Sequence, residues 1–562
     1  MPSTPRIIVI GAGLAGLAAS VELARRGAAV TLVERNQHLG GKMNVLSEGG
    51  FSFDMGPTIL TMPDVLRGII ARCGRRVEDY VDLVRLDPQW RCFYEDGTRI
   101  DLLEDENAMA ASLDRRFPAT GAGDGWRRFL AYSRRMLRLS EKVFFYRDLG
   151  GISDLMWKPP AREPGLLADV LAMRMHSTVA ATAHRCVDEP HVRQLTEHFL
   201  QYVGSSPFLA PAILSLIAAA QVDQGCWYAM GGTRMVARAL VRLAREHGVE
   251  TIAGVGVRRV ICSDRGRPSA GADSEDDRRG SDRLEGAAAS VVRGVELDDG
   301  RTLEADAVVS NCDVQRTYRD LVGSRAARRE QASIAAAYVP ACSGVVLYLG
   351  LDRRYEELAH HCFLFSRDSQ EEFDDIYRRG VPAQDPTIYL AAPSRTDPGQ
   401  APPGGEALYV LVHTPYLRPG QRWEGPGGLL ESYRPTIMRK LERLGLTELR
   451  KHIVVERHLL PSQIERLYNA EGGAIYGLAS HGRLRGGFKP RNRSRVLRGL
   501  YLAGGSANPG PGVPMVLMSG VTAANSVAED FGLADRASFD AHASGSRARD
   551  GAREAMPAAN VA

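Results

Sequence analysis

Apolar runs alternate with a glycine turn and a polar helix face over the first 34 residues of this 562-residue chain. The run Ile7 to Ile10 predicts a short buried strand, and the amphipathic stretch from Leu14 to about Arg26 predicts a helix. A second apolar run, Val30 to Glu34, predicts another strand. The order strand, helix, strand indicates one unit of a parallel sheet.

Similar patterns return late in the chain. Residues Met230 to Ile261 predict a loop, an amphipathic helix and a strand, and residues 291–311 predict a hairpin that turns at Asp298 to Gly300. A strand is predicted at Leu500 to Ala503, and a helix follows from about Pro514 to Asp530. These segments are far apart in sequence and share the α/β pattern of the N-terminal unit.

The remaining long segments have a different character. Helical patterns dominate residues 67–227, whereas Ser343 to Leu351 and Glu406 to Thr414 predict strands. The chain is therefore predicted to be an α/β protein in which a second, α+β region accompanies the parallel sheet. At this length two or three domains are expected.

The turn after the first strand contains GxGxxG, formed by Gly11, Gly13 and Gly16. These glycines supply in turn a tight bend, a close backbone approach to a pyrophosphate, and close helix-to-sheet packing. Glu34 ends the next strand, where its carboxylate is placed to accept hydrogen bonds from a ribose. The context predicts a dinucleotide site.

The stretch beyond Glu34 bears on which dinucleotide is bound. Gly40 and Gly41 permit another close backbone approach, and Lys42 is a cation suited to a phosphate. A hairpin-like segment then leads to the motif FDMGPT, Phe53 to Thr58. A plain surface hairpin is the alternative interpretation of this segment.

Six motifs in order resemble one protein family. They are GAGLAGLAASVELARRG, ERNQHLGGK, FDMGPT, ADAVVSN, PSRTDP with APPG, and LYLAGGSANPGPGVPMVLMSG. The chain resembles the bacterial-type carotenoid desaturases, which include phytoene and diapophytoene desaturases and relatives acting on hydroxylated carotenoids, within the FAD-dependent amine oxidase fold. The resemblance covers about residues 6–530.

The resemblance implies FAD as a noncovalent cofactor in a Rossmann-like domain made of residues 1–66, 228–312 and 488–532. Residues 67–227 and 313–487 would form the substrate domain, with a mixed or antiparallel sheet as its floor and a helical lid. The polar segment 263–284 and the tail 533–562 are predicted to be disordered. Besides Gly11, Gly13, Gly16 and Glu34, the implied FAD contacts are Arg35, Gly41, Lys42, Pro57, Thr58, Val257, Gly505, Ser506, Gly512, Val513, Pro514 and Met515.

The stretch Gly504 to Gly520, in the last of the three segments of the FAD domain, can also be interpreted physically. A strand ends in Gly504 and Gly505, and a rigid Gly/Pro loop delivers the chain to a helix that starts near Pro514, a residue suited to a first helical position. The free N–H groups of that helix would face the electron-rich edge of the isoalloxazine ring. A Gly/Pro loop before an ordinary core helix is the alternative.

The composition of the chain bears on which binding partners and which kinds of site the protein has. A net charge of +4 over 562 residues gives no sign of a nucleic-acid partner. The eight cysteines form no CxxC pair, which predicts neither a metal site nor a disulfide framework and favours a reducing cytosol. The longest apolar run, Phe208 to Ala220, is too short to span a bilayer.

The segment Gly125 to Phe145 predicts a basic amphipathic helix. Trp126, Phe129 and other apolar residues form a stripe, and five arginines lie between them. Such a helix suits an anionic membrane surface, which a lipid-soluble carotenoid substrate would favour. The alternative is a core-facing stripe with a solvated basic face. The membrane interpretation predicts a cytoplasmic protein held peripherally at the inner face of the membrane.

Desaturation removes a hydride and a proton from a C–C bond beside a conjugated polyene. FAD would take the hydride and pass the electrons to a quinone or to O₂, while the polyene spreads the positive charge, so a weak base suffices. No catalytic dyad is evident in the sequence. The candidates for a site role are His481, Arg483 and Asn508; many family members have His at the position of Asn508, and Asn cannot act as a general base.

Carotenoid desaturation of an acyclic C30 or C40 substrate is the predicted function. The alternatives within the fold are a carotenoid end-group oxygenase, a polyene cis–trans isomerase and an amine oxidase. An amine oxidase would need an aromatic cage, and the segment Ser506 to Met515 contains no aromatic residue. A non-catalytic prenyl-lipid carrier is a further alternative, which the intact glycine motifs argue against.

Overall fold

The computed structural model describes residues 4–151, 154, 173–174, 176–263, 290–443, 445–483 and 485–534. Its strands are β1 (Arg6–Ile10), β2 (Ala29–Glu34), β3 (Val45–Glu48), β4 (Phe51–Asp54), β5 (Leu83–Leu86), β6 (Trp90–Phe93), β7 (Arg99–Leu102), β8 (Cys226–Ala229), β9 (Glu250–Ala253), β10 (Val257–Ser263), β11 (Val291–Leu297), β12 (Thr302–Glu304), β13 (Ala307–Ser310), β14 (Ser343–Leu351), β15 (His361–Leu364), β16 (Ile388–Ala391), β17 (Glu406–Thr414), β18 (Ile453–Leu459) and β19 (Leu500–Leu502).

The longer helices of the described residues are α1 (Leu14–Arg25), α2 (Pro63–Arg72), α3 (Glu106–Arg116), α4 (Ala122–Val143), α5 (Val179–Cys186), α6 (Pro190–His198), α7 (Leu216–Gln224), α8 (Arg234–Glu246), α9 (Arg325–Ala337), α10 (Leu429–Arg443), α11 (Pro461–Tyr468) and α12 (Val513–Phe531).

A five-stranded parallel sheet brings together three separated parts of the chain. Its strand order is β19, β13, β1, β2, β9, and every neighbouring pair is parallel. The apolar runs predicted as β1, β2 and β19 are buried on both faces, as strands of a parallel sheet usually are. The predicted α/β fold class is confirmed, whereas the predicted domain boundaries stay a prediction.

Helix α1 packs closely against both this sheet and helix α12. A Cβ atom on Gly16 would lie 2.0 Å from the carbonyl oxygen of Gly11, and one on Gly520 would lie 2.2 Å from that of Ala15. No side chain fits at such distances, so both contacts require glycine. The third glycine of GxGxxG therefore serves helix packing, as the motif predicts.

A seven-stranded mixed sheet forms the second layer. Its order is β18, β14, β17, β16, β15, β6, β7, and all pairs are antiparallel except β15 with β6. Strands β14 and β17 cover the residues predicted for them, and each is buried along its whole length. The predicted α+β region with a mixed sheet is thus confirmed.

The segment that follows helix α8 differs from its prediction. One strand was expected up to Ile261, but the chain forms two, β9 in the parallel sheet and β10 in a three-stranded sheet with β11 and β12. Gly254, with φ +80°, turns the chain between them. The hairpins predicted at 291–311 and before FDMGPT are both present, as β11–β12 and β3–β4.

The apolar stripe of helix α4 faces the protein core. Trp126, Phe129, Leu130 and Met136 are 0% exposed. On the opposite face, Arg134 pairs with the carboxylates of Glu106 in α3 and Asp223 in α7 rather than projecting freely. The membrane interpretation of this stripe is therefore wrong, because its apolar side chains are already occupied in packing.

Among the helices of the described ranges, none combines the length and the apolar character needed to cross a membrane. The predicted disordered insertion lies, apart from Ser263, outside the described residues, and so does the predicted tail beyond residue 534.

Candidate functional site

A cavity of about 460 Å³ lies at the carboxyl ends of the parallel strands. Residues that directly follow β1, β2, β13 and β19 line it, and β14, β16 and β17 of the mixed sheet supply the opposite wall. In α/β sheets ligands bind at the carboxyl ends of the strands. The volume falls within the range of about 300–1,000 Å³ common for ligand pockets.

Most of the predicted cofactor contacts line this cavity. They are Gly11, Gly13, Glu34, Arg35, Gly41, Lys42, Pro57, Thr58, Val257, Gly505, Ser506, Gly512 and Val513. Gly16, Pro514 and Met515 do not line it: Gly16 packs helix α1 on the sheet, and Pro514 and Met515 lie in the first turn of α12.

Asn311 organises the glycine-rich end of the cavity and was not predicted as a site residue. Its amide nitrogen donates to the carbonyl of Gly11 at 3.3 Å. A Cβ atom on Gly13 would lie 2.7 Å from that nitrogen, and one on Gly504 would lie 2.8 Å from the amide oxygen. One asparagine thus packs between the first and last glycine segments, and its position at the end of ADAVVSN was the available signal.

Glu34 lies buried on the cavity wall, 6% exposed. One carboxylate oxygen accepts from the Ala12 N–H at 2.8 Å, and the other accepts from the backbone and side-chain N–H groups of Asn36, each at 2.9 Å. These bonds fix the carboxylate at the end of β2, where the motif places the acceptor for a ribose hydroxyl.

Lys42 is half-buried, and desolvation lowers the pKa of its ammonium group to about 8, against a smaller opposing effect of Asp313. The ammonium nitrogen donates to the carbonyl oxygen of Ile475 at 2.5 Å. Lys42 therefore joins the GGK segment to the chain segment at 474–477, which also lines the cavity. Its predicted phosphate contact stays a prediction.

The N-terminus of helix α12 opens on the same cavity. Gly512 is its N-cap, with φ +104°, and no side chain caps the first turn. Because the first N–H groups of a helix have no intrahelical acceptor, such an end presents donors and a positive dipole to whatever lies in front of it. The rigid Gly/Pro loop thus sets the position of a donor edge at the cavity wall.

Five tyrosines also line the cavity: Tyr202, Tyr389, Tyr409, Tyr468 and Tyr476. The absence of aromatic residues from the segment Ser506 to Met515 therefore does not by itself argue against an aromatic cage, because other segments supply aromatic side chains to the cavity. These tyrosines come from strands β16 and β17, from the end of helix α11 and from two other segments that are distant in sequence. Burial raises the pKa of every one of these hydroxyls, so they are neutral at physiological pH.

A family profile described as flavin containing amine oxidoreductase matches residues 14–528. The chain belongs to this family. As a flavin containing amine oxidoreductase it is an FAD-dependent oxidoreductase, and its resemblance to the carotenoid desaturase-like family is confirmed.

Three known proteins are similar to this flavin containing amine oxidoreductase over nearly the whole length of the chain. It is 38% identical to a 4,4'-diapolycopene oxygenase of Methylomonas sp over 94% of this chain and 98% of that protein. It is 37% identical to a 4,4'-diaponeurosporene oxygenase of Staphylococcus haemolyticus over 93% and 97%. An oxidoreductase structure from Methanosarcina mazei matches with a TM-score of 0.59 and 17% identity, over 93% of this chain and all of that one, which supports the fold alone.

The cavity of this amine oxidoreductase fits FAD. Bare backbone at Gly13, Gly41 and Gly504 lets these segments lie close to Asn311 and to one another around the cavity, since a Cβ atom at each position would come within about 3 Å of a neighbouring protein atom. Glu34 supplies an acceptor at the end of β2, and the α12 N-terminus supplies donors at the other end. This donor and acceptor set matches a ribose, a pyrophosphate and an electron-rich ring edge.

The three residues predicted to take part in catalysis lie away from the cavity. His481 accepts a hydrogen bond from the Ser206 N–H at 3.0 Å, and burial lowers the pKa of its ring to about 3. Arg483 is exposed. Asn508 donates to the carbonyl of Arg147 at 2.6 Å. A structural role accounts for the geometry of His481, because the acceptor nitrogen of its neutral ring is already bonded to the Ser206 N–H and the ring carries no second, acidic proton at physiological pH.

Proposed function

We propose that this flavoprotein oxidises the end group of an acyclic C30 carotenoid. The observation that carries the proposal is the similarity to two enzymes named as oxygenases of 4,4'-diapo-carotenoids, at 38% and 37% identity over nearly the whole of each chain. Desaturation of the same class of substrate is the second candidate, favoured by the six motifs that resemble the desaturases.

The mixed-sheet side of the cavity suits a hydrocarbon substrate. The aliphatic side chains of Val346, Leu411 and Leu459 line this side together with the tyrosines. The carboxylates of the lining lie on the other side of the cavity, at or near the ends of the parallel strands. An apolar wall with neutral hydroxyls favours a polyene over a charged amine, because an ammonium group would lose its hydration without gaining a partner charge there.

FAD, when bound, accepts two electrons from a substrate C–H bond as a hydride equivalent. The protein's own part is to hold the polyene against the cofactor and to keep bulk water out, which the buried tyrosine and aliphatic side chains do. The tyrosines do not act as bases, since burial holds them in the neutral form. A strong base is not needed where a conjugated chain spreads the positive charge.

Both candidate reactions start at a carbon next to the polyene and differ in the fate of that carbon. After the hydride has left, loss of a neighbouring proton gives a new double bond, whereas addition of one water molecule with loss of its proton gives a hydroxylated end group. The product mass separates them, because desaturation removes two hydrogens and oxygenation adds oxygen.

The experiment is expression of the gene in hosts that make diaponeurosporene, diapolycopene, neurosporene or phytoene, followed by mass and absorption measurements on the extracted pigments. The proposal expects an oxygen-containing product in the first two hosts. A product lighter by two hydrogens with a red-shifted spectrum would instead select desaturation. No change in any host, from protein that carries FAD, would refute both candidates. The Gly13→Val variant, designed to lack FAD, is the matched control.

We infer that the thirteen cavity-lining residues predicted as cofactor contacts hold FAD, with Asn311 beside them, and that Thr58 does so through its backbone and not through its hydroxyl. The division into an FAD-binding part and a substrate part, peripheral contact with a membrane that stores the pigment, and a quinone or O₂ as electron acceptor complete the proposal. Membrane contact would use a surface other than the buried stripe of α4.

A further inference from the structure

A short chain of hydrogen bonds reaches the cavity from the interior of the mixed sheet. The hydroxyl groups of Thr58 and Tyr389 lie 2.5 Å apart, and the Tyr389 hydroxyl lies 2.9 Å from Nδ1 of His361. Thr58 and Tyr389 line the cavity, whereas His361 is 0% exposed. The three residues come from the FDMGPT motif, β16 and β15, so the chain forms only when the sheet is assembled.

The proton on His361 sets the direction of this chain. Burial, with a smaller effect of the neighbouring His360, holds the pKa of His361 well below its ordinary value, so the ring is neutral and carries one proton. The other ring nitrogen, Nε2, has no hydrogen-bond partner within the described part of the protein. Buried N–H groups almost always find an acceptor. The proton therefore belongs on Nδ1, where Tyr389 accepts it.

With the proton on Nδ1, each later hydrogen bond points toward the cavity. Tyr389 accepts from His361 and donates its own O–H to Thr58. Thr58 accepts that bond and retains its own O–H, for which the described residues offer no acceptor within hydrogen-bonding distance. The Thr58 hydroxyl is then an oriented donor at the wall of a largely apolar cavity, beside the strands that form its substrate side.

We propose that His361, Tyr389 and Thr58 form an oriented hydrogen-bond relay whose terminal donor, the Thr58 hydroxyl, binds an oxygen atom on the end group of the substrate. The proposal rests on the proposed oxidation of a carotenoid end group. It assigns to Thr58 contact with the ligand, and to Tyr389 and His361 positioning roles that act through Thr58.

The relay gives the cavity a preference among polyenes. A pure hydrocarbon leaves the donor unpaired, whereas a polyene with a terminal carbonyl satisfies it, and a carbonyl oxygen can only accept. A polyene with a partly oxidised end group is therefore bound more tightly than the starting hydrocarbon. One neutral hydrogen bond predicts a roughly 2- to 12-fold preference in affinity.

The first test uses the unmodified FAD-loaded protein and needs no turnover. Dissociation constants of apo-8'-lycopenal, an acyclic polyene aldehyde, and of lycopene are measured in the same detergent by quenching of flavin fluorescence. The carbonyl stretch of the bound aldehyde is measured by Raman spectroscopy. The relay predicts tighter binding of the aldehyde and a carbonyl band shifted to lower frequency. Equal affinities with an unshifted band would overturn it.

Variants then locate the donor. Thr58→Val should abolish the preference for the aldehyde, Thr58→Ser should retain it, and Tyr389→Phe and His361→Phe should reduce it. Tyr348→Phe is the matched control, because Tyr348 is a buried tyrosine of the same sheet that bonds to the carbonyl of Met55 and does not line the cavity. A merely structural role would weaken aldehyde and hydrocarbon equally in all the variants, and that result would refute the relay.

Two further outcomes distinguish the relay from a flavin contact and from the proposed reaction. If Thr58 donates to the flavin instead, Thr58→Val will shift the flavin absorption without any polyene and leave the aldehyde preference unchanged, which contradicts the proposal. If the wild-type protein prefers the aldehyde but makes no oxygenated pigment in any host, the relay stands and the proposed reaction fails.

Discussion

Replacement of Gly13 by valine tests the cofactor site directly. A Cβ atom at this position would lie 2.7 Å from the amide nitrogen of Asn311, and a Cβ atom on Gly41 would lie 3.0 Å from the Cα atom of Gly13. Relieving such overpacking costs about 1–3 kcal/mol. Moving the amide away from Gly11 removes a hydrogen bond worth about 1 kcal/mol.

Valine keeps the allowed backbone of Gly13, with φ −69°, so the apoprotein relieves the clash by moving Asn311, and binding FAD in the wild-type geometry of the cavity wall would have to restore both costs. Together they amount to about 2–4 kcal/mol, or a roughly 30- to 1,000-fold loss of FAD affinity. The purified variant should therefore be nearly colourless. Its melting temperature should also not rise when FAD is added, whereas that of the wild-type apoprotein should rise with FAD concentration.

The control is Ala24→Val, which adds bulk to the same helix at a partly buried position that does not line the cavity. It should be yellow and respond to FAD as the wild type does. Gly13→Val protein with normal flavin absorbance and a normal FAD-dependent rise in melting temperature would refute the assignment of the glycine turn to the cofactor.

Three other variants test separate parts of the structure. His481→Gln should make the free energy of unfolding less sensitive to acid, because the pKa of His481 is about 3 in the folded state and about 6.5 in the unfolded state. The wild-type protein therefore loses stability as the pH falls from about 6.5 toward 3, with a slope of about 1.4 kcal/mol per pH unit from this residue. Unfolding curves at several pH values check this, and an unchanged slope in the variant would contradict it. Deletion of residues 265–279 should leave folding and flavin content nearly unchanged. Strands β10 and β11 pair as far as Ser263 and Val291, and a doubling of the length of the loop that joins them costs only about 0.6 kcal/mol. Loss of soluble protein on deletion would show that the segment packs against the rest of the protein. Trp126→Phe should leave co-sedimentation with anionic liposomes unchanged, because the indole is buried; weaker sedimentation of a folded variant would return the membrane role to helix α4.

Local patterns in the sequence were enough to predict the glycine-rich half of the site. Gly11, Gly13 and Glu34 take their positions from one strand, turn, helix and strand, and this unit forms from neighbouring residues. Asn311 could be identified only once β13 was placed beside β1, since its contacts are with glycines about 300 residues earlier and 200 residues later.

The tyrosine half could not be predicted in the same way. Strands β16 and β17 are buried on both faces, so no alternation of apolar and polar residues shows which face of the sheet meets the cavity. The neighbours of Tyr389 and Tyr409 depend on a strand order that does not follow the sequence. Helix α4 presents the same difficulty, because a stripe bearing Trp126 and Phe129 has the same pattern whether it faces lipid or a protein core.

The order of strands in the parallel sheet has a consequence for synthesis. Strand β19 begins at Leu500, about 490 residues after β1 ends, yet both contribute walls of one cavity. At ordinary translation rates of about 5–20 residues per second, the first glycine turn waits on the order of 25–100 s on the ribosome before its last partner strand exists. Completion of the cavity is thus deferred until almost all of the described chain has been made. A chain stalled before Leu500 carries an intact GxGxxG turn without the last wall of the cavity.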